Sequence, residues 1–191
     1  RCVGKYLYDN KIHASLTPEV ATMSGIKKLI LHPGNDGKIA SVTVDMGIPA
    51  VGKVHELHTS PSHTFNVISV STGNPHCVVF IDDFDAIDIL RDGPALECAD
   101  IWPDKANIEF VRVADRHTLY QRTWERGVGE TEACGTGACA AAAAAVATGR
   151  ADYPLNVHLT GGTLTIDSDP ATGHTLMTGA AATVFIGLIN L

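Results

Sequence analysis

The alanine-rich run GTGACAAAAAAVATG, residues 135–149, constrains the fold more than any other part of the chain. Alanine has the highest helix propensity, so the run predicts a helix over about residues 136–148. A helix that is apolar on every face must be buried on every face. Its small side chains would let strands approach closely all round, which favours a sheet wrapped around a central helix. A helix held between two layers is the alternative.

Much of the remaining chain alternates apolar and polar residues with a period of two, as half-buried antiparallel strands do. The stretches IKKLIL and KIASVTVDM, joined by the turn HPGNDG, predict one hairpin. The stretch NVHLTGGTLTID predicts a second hairpin with a two-residue Gly161-Gly162 loop, which sets Val157 opposite Ile166. Further strands are predicted at TFNVISVS, HCVVFID, NIEFVRV, HTLYQRTWE and AATVFIGLIN. Further helices are predicted at the start of the chain, at TPEVATMSG and in part of DAIDILRDGPALECA.

Charge and cysteine content exclude several classes of function. The formal charge is -7 at pH 7 and no run of Lys and Arg could neutralise a line of phosphates, so nucleic acid is not an expected partner. The five cysteines are odd in number and scattered, which fits a reducing compartment and a cytoplasmic protein. The sequence shows no signal peptide and no apolar run of the ~20 residues that a spanning helix needs, so no membrane role is expected.

The segment TEACGTGACA places Cys134 in a glycine-rich turn that leads into the alanine helix. The first N–H groups of a helix lack intrahelical acceptors, and with the helix dipole they favour an anion. That anion is either a substrate carboxylate or the Cys134 thiolate, so a lowered pKa is predicted for this thiol. The Gly-Lys-Ser/Thr of a phosphate loop is missing, and Cys139, inside the apolar helix, is interpreted as structural. Cys134 and Cys139 are five residues apart, off a common helical face, and no second Cys/His pair stands at ligand spacing, so no metal is expected.

Two Asn-containing turns and one strand end supply further candidate site residues. TGNPHCVVF places Asn74 and His76 where a turn enters a strand, and DKANIEFV does the same for Asn107. Asn side chains donate and accept hydrogen bonds, which suits an ammonium–carboxylate ligand, although a turn alone also explains each Asn. Glu125 and Arg126 end the strand TLYQRTWE. Arg126 could clamp a carboxylate with two hydrogen bonds or form a surface pair.

Five stretches in this order resemble the diaminopimelate epimerases, which are cofactor-independent amino-acid epimerases: RCVGKYLYDN, VDMGIP, STGNPHCVVF, NIEFV and TWERGVGETEACGTGACA. The resemblance implies an α/β (α+β) fold of two pseudo-symmetric domains, each with a mainly antiparallel sheet wrapped around a central helix, and an active site between them. It divides the chain into residues 1–45, the remnant of an N-terminal domain; 46–178, the C-terminal domain; and 179–191, a strand that returns to the first domain.

The resemblance also implies roles for the candidate residues. Two cysteines face each other across the substrate α-carbon, where a thiolate removes one proton and a thiol delivers another, and Cys134 matches the second-domain cysteine. Gly135 and Thr136 match the turn whose amides hold the reacting carboxylate. His76 and Glu125 match polar residues near the reacting centre, and Glu125 also matches a substrate-binding position. Three more residues match positions that bind the substrate, chiefly its distal end: Asn74, Asn107 and Arg126.

The first-domain cysteine of the family belongs to the motif Cys-Gly-Asn-Gly-x-Arg-Cys, of which this chain carries only Arg1 and Cys2. Cys2 matches the structural cysteine, so the other catalytic cysteine is expected on a segment before Arg1 and the chain alone is expected to be inactive. The expected partners are diaminopimelate, as a small-molecule substrate, and that N-terminal segment. A homodimer is compatible with the sequence.

The implied reaction converts LL-diaminopimelate to the meso form, in lysine and peptidoglycan biosynthesis. Three other functions compete with it. The first is an epimerase or racemase of another amino acid, and the second a Cys-nucleophile hydrolase or transferase with His76 as its base. The third is a domain that binds amino acids without turnover.

Overall fold

The computed structural model describes residues 1–60 and 63–189. The helices in these ranges are α1 (Cys2–Asp9), α2 (Ile89–Glu97) and α3 (Gly135–Ala147), with a 3-10 helix at Phe84–Ala86. The strands are β1 (Glu19–Thr22), β2 (Gly25–Pro33), β3 (Ile39–Gly47), β4 (Ala50–Ser60), β5 (His63–Ser71), β6 (Pro75–Phe80), β7 (Asn107–Asp115), β8 (Thr118–Glu125), β9 (Gly129–Thr131), β10 (Leu155–Leu159), β11 (Gly162–Ser168) and β12 (Thr175–Ala180). This α+β architecture confirms the predicted fold class. No helix of the described ranges is long and apolar enough to cross a membrane.

The chain divides into unit 1, residues 1–45 with 178–191, and unit 2, residues 46–177. In unit 1, β1, β2 and β3 pair in sequence order, all antiparallel, and α1 packs on β2. Gly4 is the buried residue of α1, and a Cβ there would lie 2.7 Å from Leu31 Cδ2 and 2.9 Å from Leu29 Cδ1. Glycine at position 4 therefore lets α1 approach β2 closely. The Lys5 ammonium then donates to both the Asp9 carboxylate and the Ile39 carbonyl, each at 2.7 Å.

Unit 2 contains a sheet with the strand order β11-β10-β8-β7-β6-β5-β4, and β9 pairs with β8. The pairs β6–β7 and β8–β10 are parallel and the other pairs are antiparallel. An apolar cluster fills the space between this sheet and α2: Val67, Cys77, Val79, Ile89, Leu96, Ala106, Ile108 and Phe110. His76 and Cys77 are neighbours on β6 and point to opposite faces, so only Cys77 joins this cluster.

Helix α3 is buried from Gly137 to Ala145, as its uniformly apolar sequence predicts. It contacts seven strands of unit 2: β4, β5, β6, β7, β8, β10 and β11. Contact with so many strands of one sheet is the arrangement of a central helix inside a curved sheet, and it favours this interpretation over a helix held between two separate layers. The first turn of α3 is thereby fixed against the middle of the sheet.

Two segments differ from the secondary structure expected from sequence. TPEVATMSG was expected to be helical, but its residues 19–22 form β1, because Thr22 and Gly25 (φ 92°) make a tight turn that pairs β1 with β2. The strand predicted over 179–191 is found only at its first two residues: β12 ends at Ala180, and residues 181–189 have no regular secondary structure. A strand needs a buried face, whereas Val184 and Phe185 are 89% and 82% exposed. Asn190 and Leu191 lie outside the described residues.

The predicted register of the second hairpin is wrong by two residues. Val157 pairs with Leu164 and Leu159 pairs with Gly162, so the loop is Thr160-Gly161 rather than Gly161-Gly162. The N–H of Gly161 donates to the Glu132 carbonyl at 2.8 Å, and this contact holds Gly161 in the loop. A shift of two residues leaves the same side chains on the buried face, which is why the apolar pattern alone does not distinguish the two registers.

The close approach of strands to α3 predicts that larger side chains are not tolerated inside it. Ala142 is 0% exposed, so Ala142→Leu adds three carbons to a filled space and should lower the free energy of unfolding by roughly 1–3 kcal/mol. Ala147→Leu, at the exposed last turn of the same helix, is the matched control and should be close to neutral. Urea unfolding measures both, and equal stabilities would mean that α3 has an open face at residue 142.

Candidate active site

Cys134 lies at the start of α3, where it forms the N-cap in an extended conformation (φ -126°, ψ 111°). The backbone N–H of Gly137 donates to its Sγ at 3.3 Å, and the Thr136 hydroxyl lies 3.4 Å from the same sulfur. The side chain is buried, with 8% of its surface exposed. The sulfur thus occupies the place of an N-cap oxygen and uses one of the amides that the helix leaves without an intrahelical acceptor.

The electrostatic surroundings of Cys134 reverse the expected direction of its pKa shift. Burial of the thiol and the negative charge of Glu109 raise its pKa from 9.0 to about 11, and the charge of Glu125 adds to this effect. The hydrogen bonds from Thr136 and Gly137 act in the opposite direction but are outweighed. The prediction of a lowered pKa is therefore wrong, because it considered the helix start without the carboxylates that face it.

His76, on β6, reaches the same place from the sheet and is fully buried. Its Nδ1 lies 2.8 Å from Glu109 Oε1, and its Nε2 lies 3.1 Å from Asn74 Oδ1. Both of these oxygens only accept hydrogen bonds, so the contact with Glu109 requires a proton on Nδ1 and the contact with Asn74 requires one on Nε2. Asn74 in turn accepts from the Thr72 hydroxyl at 3.1 Å. His76 is thereby held in one orientation between two polar partners.

Glu109, on β7, is the site residue that sequence reasoning missed. The register of β7 and β8 sets it opposite Thr123, and its Oε2 accepts from Thr123 Oγ1 and from Gln121 Nε2, both at 2.7 Å. The available signal was a carboxylate inside the apolar run IEFV, because a buried charge needs several hydrogen-bond partners. The alternation of Gln121 and Thr123 on the next strand was the matching signal.

The glycine at position 137 permits this contact between sheet and helix. A Cβ on Gly137 would lie 2.3 Å from Glu109 Oε1, a separation that two such atoms do not adopt. Gly137 lies within α3 and does not make a turn, so its role is close approach rather than the turn expected for the glycines of this segment. As a result the ligand-type atoms of His76, Glu109 and Cys134 all lie within 4.8 Å of one another.

The side-chain types in this cluster could hold a metal ion, but their hydrogen bonds serve another arrangement. His76 is hydrogen-bonded through Nδ1 to Glu109 and through Nε2 to Asn74. Metal binding through His76 and Glu109 would require the loss of the bond between them. The geometry is that of a buried hydrogen-bond network beside a thiol.

Asn107 and Arg126 are hydrogen-bonded to each other and form a second group of candidate residues. Asn107 donates through Nδ2 to the Pro75 carbonyl at 3.1 Å and accepts through Oδ1 from the Arg126 N–H at 3.0 Å. The exposed Arg126 side chain donates from Nη1 to the Asp104 carbonyl at 2.6 Å. Asn107 therefore links the start of β6 to the turn that carries Arg126.

A cavity of about 360 Å³ is lined by Asn74, His76, Ser69, Trp102, Asp104 and others.

A second buried carboxylate fixes the Arg126 turn. Glu97, in α2, accepts from Trp124 Nε1 at 2.8 Å, from the Gly127 N–H at 3.0 Å and from Lys105 Nζ at 3.3 Å. Burial alone would raise the pKa of Glu97, but these hydrogen bonds outweigh it and lower the pKa below its ordinary value. Glu97 is thus an ionised anchor next to Arg126, and sequence reasoning did not identify it.

The candidate residues fall into two groups in unit 2. Cys134, Thr136, Gly135 and His76 gather at the start of α3 around Glu109. Asn74 joins them through His76, whereas Asn107 and Arg126 form the second group. Glu125 accepts from the Thr131 hydroxyl at 2.6 Å and is near enough to affect the Cys134 thiol electrostatically.

Comparison with known proteins identifies a family. The model of the family described as diaminopimelate epimerase matches residues 68–184. The diaminopimelate epimerase of Bacteroides thetaiotaomicron is 45% identical over 187 residues, which are 98% of this chain and 69% of that protein. The diaminopimelate epimerase of Parabacteroides distasonis is 41% identical over 191 residues, which are 100% of this chain and 71% of that protein.

Solved structures with low sequence identity share the fold. A probable proline racemase from Agrobacterium radiobacter superposes with a TM-score of 0.76 at 16% identity, covering 100% of this chain and 66% of that one. A hydroxyproline epimerase from Agrobacterium vitis superposes with a TM-score of 0.72 at 17% identity, covering 94% of this chain and 62% of that one. The sequence identities of the first comparison, together with this shared fold, lead to one conclusion: the chain belongs to the diaminopimelate epimerase family.

Proposed function

We propose that this chain carries one acid–base half of a diaminopimelate epimerase, which interconverts LL- and meso-diaminopimelate in lysine and peptidoglycan biosynthesis. The reaction moves a proton at one α-carbon and uses no cofactor. The observation that supports it best is the buried Cys134 thiol at the first turn of α3, beside His76 and Glu109. The family relationship supplies the substrate.

Cys134 serves as the proton donor in one direction of the reaction. With a pKa of about 11 it is a thiol near neutral pH, so it holds a proton that it can deliver to a carbanion. In the reverse direction the same group, as thiolate, removes that proton. In acid–base catalysis of this kind the group alternates between thiol and thiolate during turnover. A raised pKa means that Cys134 begins as the thiol.

The substrate α-carboxylate binds at the N–H groups of Gly135 and Thr136. These amides belong to the first turn of α3, where helix N–H groups have no intrahelical acceptor. Negative charge grows on the carboxylate as the α-carbon loses its proton, so fixed N–H donors stabilise the transition state more than the ground state. Because Cys134 is not a thiolate at rest, it does not compete for the positive end of the helix.

The distal end of the substrate binds near Arg126 and Asn74. Arg126 is exposed and already held by its contact with the Asp104 carbonyl, which presents the guanidinium in a defined orientation. A guanidinium binds a carboxylate through two parallel hydrogen bonds. The cavity of about 360 Å³ beside Asn74 is of the size that small-molecule ligands occupy.

Inversion also requires a second acid–base group on the opposite face of the α-carbon, because a proton returned to the same face regenerates the starting isomer. We assign this role to the first-domain cysteine of the family motif, the last two residues of which match Arg1 and Cys2. A cysteine nucleophile activated by His76, as in a hydrolase, is less well supported. Both ring nitrogens of His76 face other partners, Glu109 and Asn74.

The proposal predicts that Cys134→Ser abolishes epimerisation in a protein that carries both family cysteines. A serine hydroxyl cannot take over the acid–base role, so kcat should fall about 100-fold or more. Chiral chromatography of diaminopimelate and deuterium uptake from D₂O at the α-carbon measure inversion and proton transfer separately. Cys98→Ser, at an exposed cysteine, is the control and should retain activity. Full activity of Cys134→Ser would contradict the assignment, and absence of α-deuteration in the parent protein would favour a binding domain or a hydrolase.

If Arg126 binds a substrate carboxylate, replacing it by lysine should lower kcat/KM even though the positive charge is kept. Arg126→Lys keeps a cation but removes the planar pair of donors, so kcat/KM should fall about tenfold or more, on the order of 1.5–3 kcal/mol. Arg122→Lys makes the same chemical change on β8, at a residue that pairs with Glu130 of β9, and it should leave kcat/KM unchanged. Steady-state kinetics measures both variants. Equal kcat/KM values for Arg126→Lys and Arg122→Lys would refute the binding role of Arg126.

A further inference from the structure

Glu109 has more hydrogen-bond donors than the proposed chemistry requires. It is 0% exposed, and three side chains donate to its two oxygens: His76 through Nδ1, Gln121 through Nε2 and Thr123 through Oγ1, at 2.7–2.8 Å. Three donors at one buried carboxylate replace the hydration that its oxygens lose in the interior. One of these oxygens lies within 4.8 Å of the Cys134 sulfur, the proposed acid.

Gln121 donates to the Glu109 carboxylate but leaves its own side-chain oxygen without a partner. Gln121 directs its NH₂ group to Glu109 and Thr123, at 2.7 and 2.9 Å. Its Oε1 is the buried side-chain atom without a partner in the described part of the chain. An unsatisfied buried acceptor costs about 1–3 kcal/mol, so an arrangement that tolerates it must gain more from the donors to the carboxylate.

The charge of Glu109 lies against the start of α3. The absence of a Cβ on Gly137 lets the carboxylate approach the helix, and the ligand-type atoms of Glu109, His76 and Cys134 lie within 4.8 Å of one another. The ionisable groups around Cys134 come from four elements: His76 from β6, Glu109 from β7, Glu125 from β8 and Cys139 from α3 itself. Among the carboxylates, Glu109 has the larger effect on the thiol.

We propose that Glu109 is a positioning residue: its buried carboxylate fixes the Nδ1 proton of His76 and keeps Cys134 protonated in the substrate-free protein. The carboxylate thereby maintains the proposed acid in its proton-bearing state and leaves the N–H groups of Gly135 and Thr136 for the substrate. The catalytic meaning of this role rests on the proposed function. The protonation state itself does not, because it can be measured without substrate.

The test is the pH dependence of Cys134 alkylation by iodoacetamide, measured on the Cys134 peptide by mass spectrometry. In the unchanged chain the rate should rise with a midpoint near pH 11, because only the thiolate reacts. Glu109→Gln keeps the shape and removes the charge, so the midpoint should move down by about one pH unit and the rate at pH 9 should rise about tenfold. Glu56→Gln removes an exposed carboxylate from β4 and should leave the midpoint unchanged.

A second readout follows the proton of His76. The amide of Glu109→Gln can donate to His76 Nδ1, so ¹⁵N NMR of the imidazole should show the proton leaving Nδ1. A residue that only joins β7 to β8 would change neither the tautomer nor the alkylation midpoint. An unchanged midpoint in folded Glu109→Gln overturns the proposal, whether or not the protein epimerises diaminopimelate.

Two further variants keep the test decisive if Glu109→Gln does not fold, as judged by circular dichroism. Glu109→Asp retains the charge and should keep the midpoint within about half a pH unit of the parent value. Thr123→Val removes one donor to Glu109 Oε2 without changing the side-chain volume but leaves the carboxylate charge in place, so the midpoint should not fall. A large downward shift in either variant, each of which keeps the carboxylate, would rule out control by its charge.

Discussion

The burial of α3 on all sides is the constraint on which the rest of unit 2 depends. A helix of ordinary side chains would hold the surrounding strands several ångströms further away, whereas alanine lets seven strands contact it. This close packing brings β6 and β7 near the first turn of α3. His76 and Glu109 are then placed beside Cys134 without any loop being needed to carry them, so the site is built on rigid elements.

Two opposing electrostatic influences meet at the start of α3. The N–H groups and the dipole favour negative charge, whereas burial and the carboxylates of Glu109 and Glu125 disfavour a thiolate there. The second influence prevails, and Cys134 has a pKa of about 11. A carboxylate, which has two oxygens, can accept several N–H groups at once, whereas the N-cap sulfur of Cys134 accepts only the N–H of Gly137. The same helix terminus can therefore bind an anion and still hold a protonated thiol.

Local sequence patterns predicted the elements but not the charges that act across them. The alanine helix, α1 and the strands from TFNVISVS to HTLYQRTWE follow from propensity and period, which are properties of short segments. The pairing of Glu109 with His76 depends on the parallel register of β6 and β7, which no local pattern specifies. The same holds for the hairpin at residues 160–161, where a contact with Glu132 selects between two registers with identical faces. The apolar residues 181–189 have strand-like composition, but composition cannot provide a buried face.

Two other thiols of unit 2, Cys77 and Cys139, are too deeply buried to serve as the second acid–base group of the proposed reaction. Cys77 packs in the apolar cluster, where burial raises its pKa, and Cys139 lies inside α3, where burial raises its pKa to about 12. Neither has a surface that a substrate could reach, since both are 0% exposed. All the residues proposed to act from one face of the α-carbon belong to unit 2, so their mutual distances are fixed within one folding unit.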